Sequence, residues 1–280
     1  MEPPAIAREW RVRRDADVVV CWDERTGVSA ALRSRIRGEP PSATGVIWAT
    51  EGGRVPPAVA AALRSSAAVW ALSTAQLDVL ARSGLARGRL HYLPMGVDCE
   101  FWSPPPVAAE PATILTVGND RHRDHATVVT AVATVRRSLP ARLTLVTAQP
   151  VDVPAEIGAR VSSADHRALR TRYAQAAVVA LAVKPNLHVS GLTVVLESMA
   201  MGKAVVATRT PGIEAYVTDG VTGLLVEPGP DPLARAIRRL LSDPDEAAAL
   251  GAAAQDDARR RFTTDRQAEA LAGILDAAAS

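Results

Sequence analysis

Between Lys184 and Gly202 the chain reads KPNLHVSGLTVVLESMAMG, its densest run of residues that could do chemistry. A strand is expected to end near Val183 and a helix to begin near Leu192, which places Ser190, Gly191 and Thr193 at a helix N-terminus. Free backbone N–H groups and the positive end of the helix dipole favour an anion there, a phosphate above all. Gly191 lets an anion approach the backbone, and the two hydroxyls add donors. Glu197 follows one to two turns later, where its carboxylate could accept the two hydroxyls of a ribose. The plainer alternative is that Ser190 only caps the helix and Glu197 is an exposed helical glutamate. Upstream, Arg121 and Arg123 follow Gly118 at the expected C-terminal end of another strand, the end at which open α/β sheets bind ligands.

The elements that must position these residues alternate. Strands are expected at Thr113–Val117, Leu143–Val146, Val178–Val183, Ala204–Ala207 and Gly223–Val226. Helices are expected at His125–Leu139, Asp165–Ala176, Leu192–Met201, Ile213–Val217, Asp231–Leu241, Pro244–Phe262 and Asp265–Ala278. Continuous apolar strands between helical segments imply βαβ units and a parallel sheet buried on both faces. The first half follows the same style with fewer elements. Its strands are expected at Ala16–Cys21, Gly45–Trp48, Ala68–Leu72 and Leu90–Leu93. Its helices are expected at Thr26–Arg37, Pro56–Ser65 and Thr74–Gly84, the last capped by Ser73. Phe101–Pro111, with three consecutive prolines, breaks both patterns and reads as a linker.

Composition narrows the function. The 280 residues fit about two domains, and 48% hydrophobic with 22% charged residues is enough apolar material for a core. The formal net charge is +2 and lysine occurs only at Lys184 and Lys203, so no basic stripe argues for nucleic acid. Cys21 and Cys99 form neither a disulfide framework nor a CxxC pair, and the five histidines are scattered, so no metal site is expected. The start lacks the apolar core of a signal peptide, and no apolar run reaches the roughly 18 residues of a membrane helix. A cytoplasmic protein, possible at a membrane surface only as a peripheral one, is the expectation.

Three segments together carry a family resemblance. They are ESMAMGKAVVAT from Glu197, TPGIEAYV from Thr210, and DGVTGLLVEPG from Asp219. In order, spacing and residue type they resemble the C-terminal half of GT-B glycosyltransferases of the large GT4-like group (glycosyl transferases group 1). LPMGVDCEFW from Leu93 resembles the segment leading into the donor domain, and ILTVGNDRHRD from Ile114 resembles the strand and loop that open it. The resemblance implies an α/β fold of two Rossmann-like domains with parallel sheets flanked by helices. It divides the chain into an acceptor-side domain at 1–103, a linker at 104–111, a nucleotide-sugar-binding domain at 112–262, and a C-terminal helix at 263–280 packing back on the first domain.

The function it implies is metal-independent transfer of a sugar from a nucleoside diphosphate sugar to an acceptor hydroxyl, with no organic cofactor. Glu197 would hold the ribose. Gly118, Ser190, Gly191, Leu192 and Thr193 would lie against the diphosphate. Arg121 and Arg123 would neutralise the phosphate charge that grows as the sugar leaves. Two departures stand out. The first glutamate of the family's E-x7-E pattern would fall on Val189 or, shifted by one, on His188, a candidate to touch the donor sugar or a phosphate oxygen. The first domain is also expected to be incomplete, without the first strands and glycine-rich loop that face the acceptor. Two other readings stay open: a nucleotide-sugar-binding remnant without transferase activity, which follows from that incompleteness, or another nucleotide-sugar enzyme of the fold such as an epimerase. Donor base, sugar, acceptor and oligomeric state are not specified at this level.

Overall fold

The computed structural model describes residues 15–279, so the reading of the chain start lies outside the described residues. The elements fall into two units, one running to Leu93 and resumed at Glu269, the other spanning Pro94–Ala268.

In the first unit, β1 (Val19–Cys21), β2 (Ser42–Val46), β3 (Ala68–Ala71) and β4 (Leu90–Tyr92) form a parallel sheet in that order, joined by α1 (Glu24–Arg37), α2 (Pro57–Leu63) and α3 (Thr74–Arg82). Ala43, Ala68, Trp70 and Leu93 pack with Ile274 from the last helix, α9 (Thr264–Ala279). The cut at Leu93 falls earlier than the prolines suggest. Phe101–Ser103 packs in the second unit, where the Trp102 ring meets Tyr173 edge-on at 5.5 Å.

Several local expectations are corrected. Helix α1 starts at Glu24, two residues early, because the Asp23 carboxylate accepts from the Arg25 and Thr26 amides. Glu24 is buried; its two carboxylate oxygens accept from Ile47 N at 2.8 Å and Trp48 N at 2.7 Å, closing the end of β2. Ser73 occupies the N-cap of α3, yet its hydroxyl makes no capping bond. Trp22 is 47% exposed, and Val20, Leu32 and Ile36 are exposed as well.

The second unit holds a six-stranded parallel sheet in the order β10-β9-β8-β5-β6-β7. Its strands are β5 (Thr113–Val117), β6 (Arg142–Val146), β7 (Gly158–Val161), β8 (Val178–Leu181), β9 (Ala204–Thr208) and β10 (Leu224–Val226). Residues of β5, β8 and β9 are buried throughout, as a sheet covered on both faces requires. Strand β7 was not expected. It is an edge strand with a half-exposed GARV sequence, so neither a continuous apolar run nor a clean alternation marks it. The helices are α4 (His125–Val135), α5 (His166–Gln175), α6 (Leu192–Ala200), α7 (Pro230–Ser242) and α8 (Pro244–Arg261). The segment expected as a helix at Ile213–Val217 is one 3-10 turn, Ile213–Ala215, entered through Gly212. No helix among the described residues is long and apolar enough to cross a membrane.

The strand order decides where ligands can go. From β5 the chain moves outward through β6 and β7, then returns to the other side of β5 as β8. That reversal is a topological switch point, and it opens a crevice at the C-terminal ends of β5 and β8.

Candidate functional site

The two loops leaving that switch point are the ones the sequence singled out. The first leaves β5 at Gly118 and ends at Asp124, which caps α4 by accepting from the Thr127 amide at 3.2 Å. The second leaves β8 and ends at Gly191, the N-cap of α6. Backbone bonds lace the two together: Asp124 N donates to Ala182 O, and Lys184 N to His122 O at 2.7 Å.

Arg123 lies between the loops and is only 6% exposed. Its Nε and Nη1 have no hydrogen-bond partner. Two glycines make room for it. A Cβ on Gly118 would stand 2.2 Å from Nε, and one on Gly191 would stand 2.2 Å from Nη1; both glycines also have positive φ, 143° and 93°. Burial pulls the Arg123 pKa down to about 10, against the opposing pull of Tyr173, Asp120 and Glu197. The guanidinium therefore stays charged at neutral pH. A buried cation without an acceptor is costly, and here it lies against the N-terminus of a nine-residue helix that carries no side-chain cap. Such an arrangement is one that an anion would complement.

Glu197 faces the same region and is not an exposed helical glutamate. Its Oε2 accepts a 2.7 Å hydrogen bond from the hydroxyl of Tyr173, a residue with no exposed surface. Burial raises the Glu197 pKa to about 7, although Tyr173 and Arg123 pull the other way. The same burial, with the Glu197 charge beside it, drives the Tyr173 pKa upward.

The other expected residues are distributed differently. Arg121 is exposed, whereas Arg123 is buried. Ser190 is neither the cap nor a free donor. Its hydroxyl donates to Asp120 Oδ1 at 2.8 Å and its amide to Asn186 Oδ1 at 2.8 Å. Leu192 is buried and its amide donates to Val189 O, so it offers a ligand no free amide, whereas Thr193 is exposed in the first turn of α6. His188 is buried, with its ring 4.9 Å from that of His122 and its Nε2 3.9 Å from Asp120 Oδ2. Val189 adopts φ 52°, a strained conformation for a β-branched residue, of the kind that collects at functional sites.

Several residues that organise the site were not anticipated. Asp120 accepts from the His122 amide at 2.8 Å as well as from Ser190, tying one loop to the other. Burial pushes its carboxyl up, but those donors and the two imidazoles outweigh it and hold the pKa below the usual carboxylate value. Asn119 Oδ1 accepts from the Ala148 amide at 2.7 Å, and Gln149 Nε2 donates to the carbonyls of Asn119 and Asp120, bracing the first loop from β6. Buried His125 reaches Gly118 O through Nε2 at 2.9 Å, and burial lowers its pKa. A serine–aspartate and an asparagine–amide contact across 70 and 4 residues leave no periodic signal; only the run of polar residues after Gly118 hinted at them.

Comparison with known proteins bears on the fold and on family likeness. Residues 111–243 match the family described as Glycosyl transferases group 1. Among curated proteins, alpha-maltose-1-phosphate synthase of Mycolicibacterium smegmatis is 27% identical over 242 residues, covering 74% of this chain and 62% of that protein. The GDP-mannose-dependent alpha-(1-6)-phosphatidylinositol monomannoside mannosyltransferase of Mycobacterium tuberculosis is 30% identical over 213 residues, covering 66% and 55%. The chain thus spans less than two thirds of the length of these relatives. Among solved structures, Anabaena Alr3699/HepE in complex with UDP and glucose superposes with a TM-score of 0.80 at 18% identity, covering 94% of this chain and 78% of that one. That likeness is one of fold: two parallel sheets flanked by helices, as in GT-B proteins.

Proposed function

We propose, on the premise that residues 111–243 are a glycosyl transferases group 1 domain, that this chain transfers a sugar from a nucleoside diphosphate sugar to an acceptor hydroxyl. The observation that carries the reading is the buried Arg123, two of its nitrogens unpartnered, set against the N-terminus of α6. A diphosphate is the anion of matching charge. As the sugar departs, negative charge grows on the diphosphate oxygen that held it, and Arg123 with the helix end would stabilise that charge more than the bound ground state. Positive charge is thus supplied by this chain's own groups, which supports transfer without a metal. Glu197, fixed by Tyr173, is the acceptor for the ribose hydroxyls. His188, buried beside Asp120 and Ser190, is the side chain of the second loop suited to contact the donor sugar or a phosphate oxygen. The relatives' names fit: one is GDP-mannose-dependent, and the similar structure holds UDP. The reading places the protein in the cytoplasm, where such donors are made.

The test is thermal stabilisation by UDP, GDP and ADP and by their sugars, followed by product detection with candidate acceptors. A ligand at a hundred times its Kd stabilises by about 2.7 kcal/mol. Stabilisation by one nucleotide, lost in Arg123→Ala, with sugar transfer observed, is expected. No stabilisation of a folded protein by any of them would overturn the reading. Stabilisation without turnover with any acceptor would favour the binding remnant.

A further inference from the structure

Arg123 lies against Gly191, the N-cap of α6, and Glu197 stands on that same helix, yet the two form no ion pair; what Glu197 has instead is Tyr173. This is unexpected on electrostatic grounds. A buried guanidinium with two unpartnered nitrogens and a neighbouring carboxylate should close on each other, since a paired buried charge is far cheaper than an unpaired one. Such a pair would cancel the positive charge that a diphosphate needs and occupy the carboxylate that a ribose needs.

We propose that Tyr173 is a positioning residue that prevents this collapse. Its hydroxyl anchors Glu197 Oε2 and so keeps the carboxylate and the Arg123 guanidinium apart, each available to the donor. The proposal rests on the donor-site reading above. The geometry suits the task. Tyr173 sits near the end of α5, fully buried, between Trp102, which meets its ring edge-on, and Glu197, which accepts its hydrogen bond. Trp102 is itself buried, and its segment is fastened to α5 by Arg170, whose Nε donates to Ser103 O at 2.8 Å. The phenol therefore has a rigid backing, and its oxygen meets the carboxylate at a fixed place. A phenylalanine would fill the same volume and keep the ring contact but would leave the carboxylate free to turn.

The experiment measures affinity for inorganic pyrophosphate, and for UDP and GDP, at pH 8 in wild type, Tyr173→Phe, Glu197→Gln and the double variant, with melting curves showing each is folded. The Glu197→Gln change should leave pyrophosphate binding intact and weaken the nucleoside diphosphate. The Tyr173→Phe change should weaken pyrophosphate about tenfold, the scale of a hydrogen bond to a charged group. The double variant, unable to form the ion pair, should recover the pyrophosphate affinity. That rescue is what a merely structural role for Tyr173 would not produce. Unchanged pyrophosphate affinity in Tyr173→Phe, or no recovery in the double variant, would overturn the proposal. Failure of Glu197→Gln to separate nucleoside diphosphate from pyrophosphate would instead overturn the ribose role of Glu197, a result read from a different column of the same measurements.

Discussion

The N-cap of α6, Gly191, and the guanidinium of Arg123 occupy one another's space: the hydrogen on Gly191 stands where a Cβ would be 2.2 Å from Nη1. The glycine is needed twice, for that approach and for its φ of 93°. Gly191→Ala should therefore displace Arg123 and strain the helix start together. Expected are a stability loss of about 1–3 kcal/mol, read from urea unfolding, and at least a tenfold loss of pyrophosphate affinity. Unchanged affinity would show that Arg123 does not depend on this packing.

Arg121 and Arg123 are two residues apart and lie in opposite environments, one exposed and one buried. Arg123→Ala should lower nucleoside diphosphate affinity by a factor of about ten to a hundred, since it deletes a charge in a low-dielectric site. Arg121→Ala should change it about threefold or less, as solvent screens an exposed charge. Calorimetric titration of both variants decides; equal losses would return Arg121 to the site.

Glu197 should make nucleoside binding depend on pH. With a pKa raised to about 7, its carboxyl is neutral below that value and accepts ribose hydroxyls poorly. UDP or GDP affinity should rise as pH passes up through about 7, whereas pyrophosphate affinity should not follow, and Glu197→Gln should flatten the difference. The same shift acts on stability with the opposite sign. The folded protein favours the protonated form, so this contribution is complete below the ordinary pKa of 4.5 and is lost as pH rises through about 7.

His125 acts in the other direction. Burial, then the charge of Arg123, lowers its pKa below 6.5, so the folded state holds the neutral ring that bonds Gly118 O. Its contribution is present above pH 6.5 and is lost as pH falls below it towards the depressed value. His125→Gln keeps a donor for the carbonyl without titrating in this range. Unfolding free energies measured from pH 7 to 5 should show a shallower loss in that variant than in wild type; parallel curves would exclude His125 as the source.

Much of this arrangement can be read before folding. Strand β5 coincides with its expected span, and β8, α5 and α6 differ only at their ends, because strands buried on both faces show as short continuous apolar runs and helices as longer segments bounded by glycine, proline or capping residues. The approach of Arg123 to the start of α6 at Gly191 was foreshadowed locally, since a glycine-containing loop before a helix and an arginine after a strand are chain-local signals. Edge strand β7 was not legible, nor was the inward turn of Glu24, whose partners lie more than twenty residues away.

The sequence by itself determined the succession of strands and helices, the likeness of residues 111–243 to the glycosyl transferases group 1 family, and which two loops meet at the switch point. Only the tertiary structure decided which side chains within those loops do what. It buried Arg123 and exposed Arg121, gave the Ser190 hydroxyl to Asp120, and set Tyr173 on Glu197. The physical reason is the reversal of strand order at β5 and β8. It brings loops some 70 residues apart into contact, and pairing, burial and charge are then settled by which neighbour arrives, which no local period encodes.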